Sequence, residues 1–433
     1  MAYEISEAFY AGLSLVDTST LNSATSNVTK FKELYNTALL NFGGKLVKDG
    51  ASESTKKGMQ NQIASMEANG KDEVLYSDLA AALSAVLGTR KRIKNQPPDA
   101  VFLTGNQWNT EVEKFKIKAF GMADYNSSDT IIRYGKEYIG ISLKKKPTAT
   151  APSPTLINTA FSKFIKGNDL KTIETEINNH RIKFFATVIK NATQGNGPLS
   201  DLPKKIKDKV DRLNPNQLNH AKQLWNLKVE IEKNGKTEEV ALINLKGASH
   251  LLDSETVDEP GNKDPFRKYV NQSLASQGKK VNPLFKGFID IMNKPGIKDT
   301  IADSLLNKVL KLSLFDELDT WKTNEFGFYL VEGVGNVNPK LDPNVGQASV
   351  TNLHSVMVAI AMLSKLSPSL EIDFTKTGQR KAAKVFFILK RGNYSILDIE
   401  LRYKGSFTAF PQFFATMTPT FKDLLKKDVL GIK

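Results

Sequence analysis

The sequence predicts a mixed α/β protein, and three observations carry that expectation. Residues 1–95 read mostly as helix. Two pairs of apolar-alternating runs, IIRY with YIGISL and the two halves of WNLKVEIEKNGKTEEVALINL, are joined by turn residues as hairpins are. Strand-like runs at FGFYLVEGVG, KVFFILKRG and ILDIELRYKG alternate with helix-like stretches at 284–320 and 352–366, so neither an all-α nor an all-β chain fits.

Taken in order, DLAAALSAVLG after Ser77 combines good helix formers with a polar start and a stop at Gly88. A basic knot follows, Arg90-Lys91-Arg92 with Lys94, and Pro97-Pro98 then forces extended chain. The helical N-terminal region is therefore drawn as 1–98, a core of helix, hairpin and helix as 99–190, and a mixed remainder that completes the sheet and a substrate groove as 191–433. Within the core, TGNQWNTEVEKFKIKAF is expected to be a helix with Trp108, Val112, Phe115 and Ala119 on one stripe and Glu111 beside it. MADYNSSDT then reads as a turn-prone loop. The proline-rich exit KKKPTATAPSP cannot continue a helix or a central strand, and helix resumes over Leu156 to Lys190.

The first hairpin has an informative geometry. A loop centred on Lys136-Glu137 sets Gly135 against Tyr138 and Asp129 opposite Lys144. Alternation then places Asp129, Ile131, Arg133, Gly140, Ser142 and Lys144 on one face, and Thr130, Ile132, Tyr134, Ile139, Ile141 and Leu143 on the other. The second face is core and the first is a polar platform. Ser142 lies within diagonal reach of the Asp129–Lys144 pair, and Glu111 can lean toward it from the preceding helix. The ordinary alternative for that pair is a surface ion pair with little energetic weight.

Composition excludes several chemistries. The 433 residues contain no cysteine, which removes disulfide scaffolds, thiolate metal sites and cysteine nucleophiles. The longest apolar run, Val356 to Leu363, is far short of the ~20 residues that cross a bilayer, so no membrane span is expected. MAYEISEAFY is acidic where a secretory signal is basic, and a cytoplasmic location is the expectation. The four histidines lack metal-ligand spacing, and there is no P-loop, no GxSxG elbow, and only a GVG too short for a dinucleotide fingerprint. With 60 Lys plus Arg against 46 Asp plus Glu, the net charge of +14 favours polyanionic partners.

A helix bearing Glu111, followed by a hairpin with Asp129 and the tripeptide Ser142-Leu143-Lys144, resembles the PD-(D/E)XK nuclease superfamily, over about 60 residues. The resemblance implies a restriction-endonuclease-like fold, a central mixed sheet flanked by helices, here with an additional N-terminal helical region. It also implies a metal-dependent deoxyribonuclease, with Mg²⁺ or Mn²⁺ as cofactor and double-stranded DNA as partner; a homodimer is compatible with it. By that resemblance Asp129 and Glu111 bind the metal, the Leu143 carbonyl adds an oxygen ligand, and Lys144 positions or activates the attacking water. Ser142 stands where the family carries an acid, and a hydroxyl is a poorer ligand for a hard cation than a carboxylate. Lys145 and Lys146 extend the basic edge toward a neighbouring phosphate, and Arg402 and Lys404 share a strand face that can contact nucleic acid. The second hairpin carries a similar INLKG, but Asn244 and Lys246 face Trp225 and Gln223 and meet no carboxylate, so it reads as structural sheet. The alternative function is a catalytically inactive nucleic-acid-binding protein or a phage-like viral assembly protein.

Overall fold

In the computed structural model, the described residues are 4–119, 122–125, 128–151, 157–160, short stretches between 175 and 187, 226–233, 236–243, 283–292, 294–295, 326–363, 366, 368–372, 384–402 and 412–426. The protein is a mixed α/β chain that forms two compact units, one of residues 1–154, 310–364 and 424–433, the other of 155–309 and 365–423. The first unit thus joins the N-terminal helices to the hairpin and to a strand from far along the chain.

The N-terminal helical expectation holds, as α1 (Ile5–Leu13), α2 (Thr18–Ala24), α3 (Val28–Gly43), α4 (Ser54–Ala68) and α5 (Asp72–Arg92), with the short strand β1 (Val47–Lys48) between α3 and α4. Asp17 caps α2 by accepting from the Thr20 amide at 2.8 Å, and Asn27 caps α3 through the Lys30 amide at 3.0 Å. Helix α5 carries Asp72 and Glu73 in its first turn and Arg90, Lys91 and Arg92 in its last, both favourable to the helix dipole. It runs through Gly88, where the sequence suggested a stop. That glycine serves close packing instead, since a Cβ there would lie 2.7 Å from the Ala348 Cβ. Within the basic knot, Arg90 is buried, and its Nη2 donates to the Ser14 and Val16 carbonyls at 2.6 and 3.1 Å, tying α5 to the end of α1.

The remaining strands of the first unit are β2 (Ala100–Leu103), the small pair β3 (Ile117–Ala119) and β4 (Met122–Tyr125), then β5 (Thr130–Tyr134) and β6 (Glu137–Lys146). In the second unit, β7 (Ile157–Ala160) stands where helix was expected to resume, followed by β8 (Asn226–Lys233), β9 (Lys236–Ile243) and helix α6 (Pro283–Met292). The first unit continues with β10 (Phe326–Val337), β11 (Pro343–Val345), β12 (Ser349–Asn352) and α7 (Leu353–Leu363). The second resumes with β13 (Pro368–Ile372), β14 (Lys384–Arg391), β15 (Tyr394–Arg402) and β16 (Gln412–Met417), after which comes α8 (Pro419–Lys426). The late strands and the β8–β9 hairpin match the sequence expectation, including Lys233 opposite Lys236; Asn244 and Lys246 lie outside the described residues.

The first sheet runs β1-β2-β5-β6-β10-β11, with β12 also on β10. It is mixed: β1 is parallel to β2, β2, β5 and β6 form an antiparallel meander, and β10 joins β6 in parallel. One face buries Ile132, Tyr134, Ile139, Ile141, Leu143 and Val331 in a single core with Phe9, Phe31, Leu79 and Leu83 of the helices. Helix α5 lies so close to β10 that a Cβ at Gly333 would fall 2.1 Å from the Ala81 carbonyl oxygen, a contact only glycine allows. The opposite face buries Phe102, Ile131, Phe326 and Phe328, capped by Phe115 with its ring 4.5 Å from Phe326 and 5.0 Å from Tyr138. The second sheet, β13-β14-β15-β16-β7, is antiparallel throughout, and β8 pairs only with β9 among the described strands.

Candidate functional site

The β5–β6 hairpin forms with a register two residues from the one expected. Tyr134 pairs with Glu137, so the turn is Gly135-Lys136, and Gly135 takes a φ of +61°. Positive φ at the first central residue alone is the type II′ turn, which glycine favours there. Because side chains alternate with period two, a shift of two leaves every residue on its expected face. Extending the ladder sets Asp129 opposite Ser142, with Lys144 on the diagonal.

Asp129 precedes the first residue of β5, and its amide donates to the Ile141 carbonyl at 2.8 Å. The chain entering it is held by Thr104, whose hydroxyl donates to the Ser128 carbonyl. The Asp129 Oδ2 accepts from the Leu143 amide at 2.6 Å and from the Lys144 ammonium at 3.1 Å, with the Ser142 hydroxyl at 3.4 Å. Amide and carbonyl of one strand residue point to the same side, so the Leu143 carbonyl also stands at this edge. The Asp129 and Lys144 side chains keep 23% and 31% of their surface exposed, which leaves both open to a ligand.

Two carboxylates near this pair went unread in the sequence. Glu7, on α1, has its carboxyl pushed up to about 9, first by burial and then by the negative charge of Asp129, while Lys144 pulls it down. Its electrostatic neighbours are thus Glu4, just before α1, and the two residues of the hairpin site, although 122 positions separate Glu7 from Asp129 in the chain. Glu332 is paired with Lys144 in the parallel β6–β10 ladder and is 1% exposed. A lone acid inside the apolar 12-residue strand FGFYLVEGVGNV was the one sequence signal for it. Nothing in the spacing around Glu7 points to the hairpin.

Glu111 lies elsewhere. Its segment is not a helix: a single 3-10 turn, Glu113–Phe115, leads directly into β3. The competing pattern wins, because Phe115, Ile117 and Ala119 alternate with Lys114, Lys116 and Lys118 at the strand period. Asn109 sets the turn by accepting from the Glu111 amide at 3.1 Å, and Val112 and Phe115 are buried without any helix. The Glu111 carboxylate is held by Lys48 at 2.8 Å, by the Tyr138 hydroxyl at 2.9 Å, and by Arg133. Two of those donors, Arg133 and Tyr138, form a rung four residues from the Asp129–Ser142 rung, or about 13 Å along the strand. Burial alone raises the Glu111 carboxyl, but the three donors outweigh it and hold it below its usual range.

The remaining basic candidates divide. Lys145 points to the helical side of the sheet and is paired with the buried Asp78 of α5. It is therefore a strut between α5 and β6 and does not extend the Lys144 edge. Lys146 shares the face of Lys144, and its ammonium donates to the Ala149 carbonyl at 3.3 Å. Arg402 ends β15 in the second sheet, opposite Lys384 and Gln412. Its side chain and all of Lys404 lie outside the described residues.

Among the described residues, no three or more His, Cys, Asp or Glu side chains form a group able to hold a metal ion, and no helix is long and apolar enough to cross a membrane. Compared with protein-family models, curated proteins and solved structures, the chain returns no match.

Proposed function

We propose that the protein is a metal-dependent nuclease of restriction-endonuclease-like type that hydrolyses DNA phosphodiester bonds. The observation that carries this is the contact of the Asp129 carboxylate with the Lys144 ammonium and the Leu143 amide on the neighbouring strand, with the carboxyl of Glu7 in electrostatic reach of both charged groups. Glu7 on α1 takes the part of the helix carboxylate that the sequence resemblance gave to Glu111.

The donor set suits a small hard cation. Mg²⁺ is commonly held by one or two carboxylates and keeps several waters; Asp129 would supply one and Glu7 a second once the cation displaces the proton that burial and Asp129 keep on it, with the Ser142 hydroxyl and the Leu143 carbonyl as neutral oxygens. When bound, Mg²⁺ or Mn²⁺ supplies Lewis-acid polarisation of a phosphate and a water of lowered pKa. Lys144 supplies the positive charge beside the scissile phosphate and a donor that orients the attacking water. Asp129 fixes the Lys144 ammonium, and the mixed sheet holds both to adjacent strands.

Supercoiled plasmid incubated with Mg²⁺ or Mn²⁺ is expected to be nicked, and chelator abolishes the nicking. Asp129→Ala and Lys144→Ala each reduce the rate by at least about a hundredfold. Absence of metal-dependent nicking in the wild type refutes the proposal. Ser142, neutral and opposite Asp129, favours a second reading, a nucleic-acid-binding or viral assembly protein without catalysis. Its signature is salt-sensitive DNA retention, unchanged in both variants, with no cleavage.

A further inference from the structure

Beyond the Asp129–Lys144 edge, the same face of the first sheet carries a second ordered group of cations. Lys114 lies over the rings of Tyr138 and Phe115, at 4.6 and 5.0 Å from their centroids, and Lys116 lies over Trp108 at 5.3 Å. Lys114 makes no ion pair among the described residues, and Lys116 has only the half-exposed Glu113 at 3.6 Å. Arg133 and Lys48 stand beside them over Phe102, at 6.0 and 5.1 Å, and are neutralised in part by Glu111.

An ammonium resting on an aromatic face loses less freedom when it meets an anion than a lysine extended in water does, and its outward N–H donors remain available. Lys114, in the 3-10 turn, is exposed and Lys116, just after it, keeps 20% of its side chain exposed, while Phe115 between them enters the core. Tyr138 belongs to the rung about 13 Å from the Asp129–Ser142 rung, which corresponds to about two nucleotides of a duplex strand, whose neighbouring phosphates wind about the axis roughly 6–7 Å apart. A backbone with one phosphate at Lys144 therefore carries another at the distance of Lys114.

We propose that Lys114 and Lys116, held over Tyr138, Phe115 and Trp108, form a phosphate-binding platform that receives the DNA backbone about two nucleotides from the scissile bond. The contacts are to phosphate alone, so binding here is independent of sequence. Trp108 is a positioning residue that holds the cation without carrying charge. The two-nucleotide placement rests on the nuclease reading; the binding of phosphate does not.

The test uses the full chain, a short fluorescein-labelled DNA duplex and excess chelator, with anisotropy read across a salt series. Lys114→Gln with Lys116→Gln is expected to weaken binding about tenfold at low salt and to lower the slope of log affinity against log salt by about two, whereas Lys114→Arg with Lys116→Arg retains both. Trp108→Ala, which removes no charge, is expected to weaken binding about two- to fivefold. Thermal melts matching the wild type show that the variants are folded. If the double glutamine variant binds with wild-type affinity and slope, the platform is refuted, even where the plasmid is still nicked. Weakened binding by that variant with no nicking by the wild type upholds the platform and refutes the nuclease.

Discussion

Replacing Glu111 with glutamine separates a structural carboxylate from a catalytic one. The substitution keeps the shape but removes the charge that draws together Lys48, Arg133 and Tyr138. Hydrogen bonds to a charged group are worth about 1.5–3 kcal/mol each, but with 26% of the Glu111 side chain exposed the released donors recover water. The expected loss of stability is therefore about 2 kcal/mol, against under about 1 kcal/mol for Lys48→Met, whose exposed ammonium is one donor of three. A double-mutant cycle of Glu111→Gln with Arg133→Met should give a coupling of about 1 kcal/mol. Urea unfolding followed by circular dichroism measures all three. The pH dependence has a definite sign. The folded state holds this carboxyl below its ordinary value of 4.5, so its stabilising effect is complete above that pH and is lost as pH falls through the lowered folded value. The difference between wild type and Glu111→Gln should accordingly shrink in acid. If Glu111→Gln costs less than about 0.5 kcal/mol and also abolishes plasmid nicking, the assignment of Glu111 to the framework is wrong.

Two further outcomes follow from buried carboxyls. Lys145→Met leaves Asp78 without its cation inside the α5–β6 contact, where burial already raises its carboxyl, and should destabilise the protein by about 3 kcal/mol; a denaturation midpoint equal to the wild type refutes the strut. For Glu7, the folded value of about 9 stands above the ordinary carboxyl value of 4.5, so the metal-free protein is most stable below about pH 4.5 with respect to this group and loses that stability as pH rises through 9. Melts between pH 5 and 9 should fall more steeply for wild type than for Glu7→Gln, by up to about 3 kcal/mol at pH 7, and parallel curves refute the burial of Glu7 beside Asp129.

The local devices of the fold were legible in the sequence, and the long-range ones were not. IIRY and YIGISL declared a hairpin through alternation, and the face assignment survived the register shift because it depends on parity alone. The register itself turned on whether Gly135 sat within or beside the turn, a choice that positive φ decides. Around Glu111 a four-residue spacing and a two-residue spacing compete over the same residues, and only contact of Phe115 with Phe326 resolves them in favour of the strand. Glu7 and Glu332 reach the site through tertiary packing and a parallel pairing, neither of which leaves a trace in adjacent sequence.

That parallel pairing also governs how the chain must fold. Tyr138 finds Phe326 only after most of the second unit has been synthesised, so the sheet carrying Asp129 and Lys144 closes late and at high contact order. Until β10 arrives, β6 is a bare ten-residue edge open to pairing with another chain. Translation arrested before Phe326 would thus leave a fragment prone to aggregate, in which the lysine-bearing strand is displayed but has no neighbour to support it.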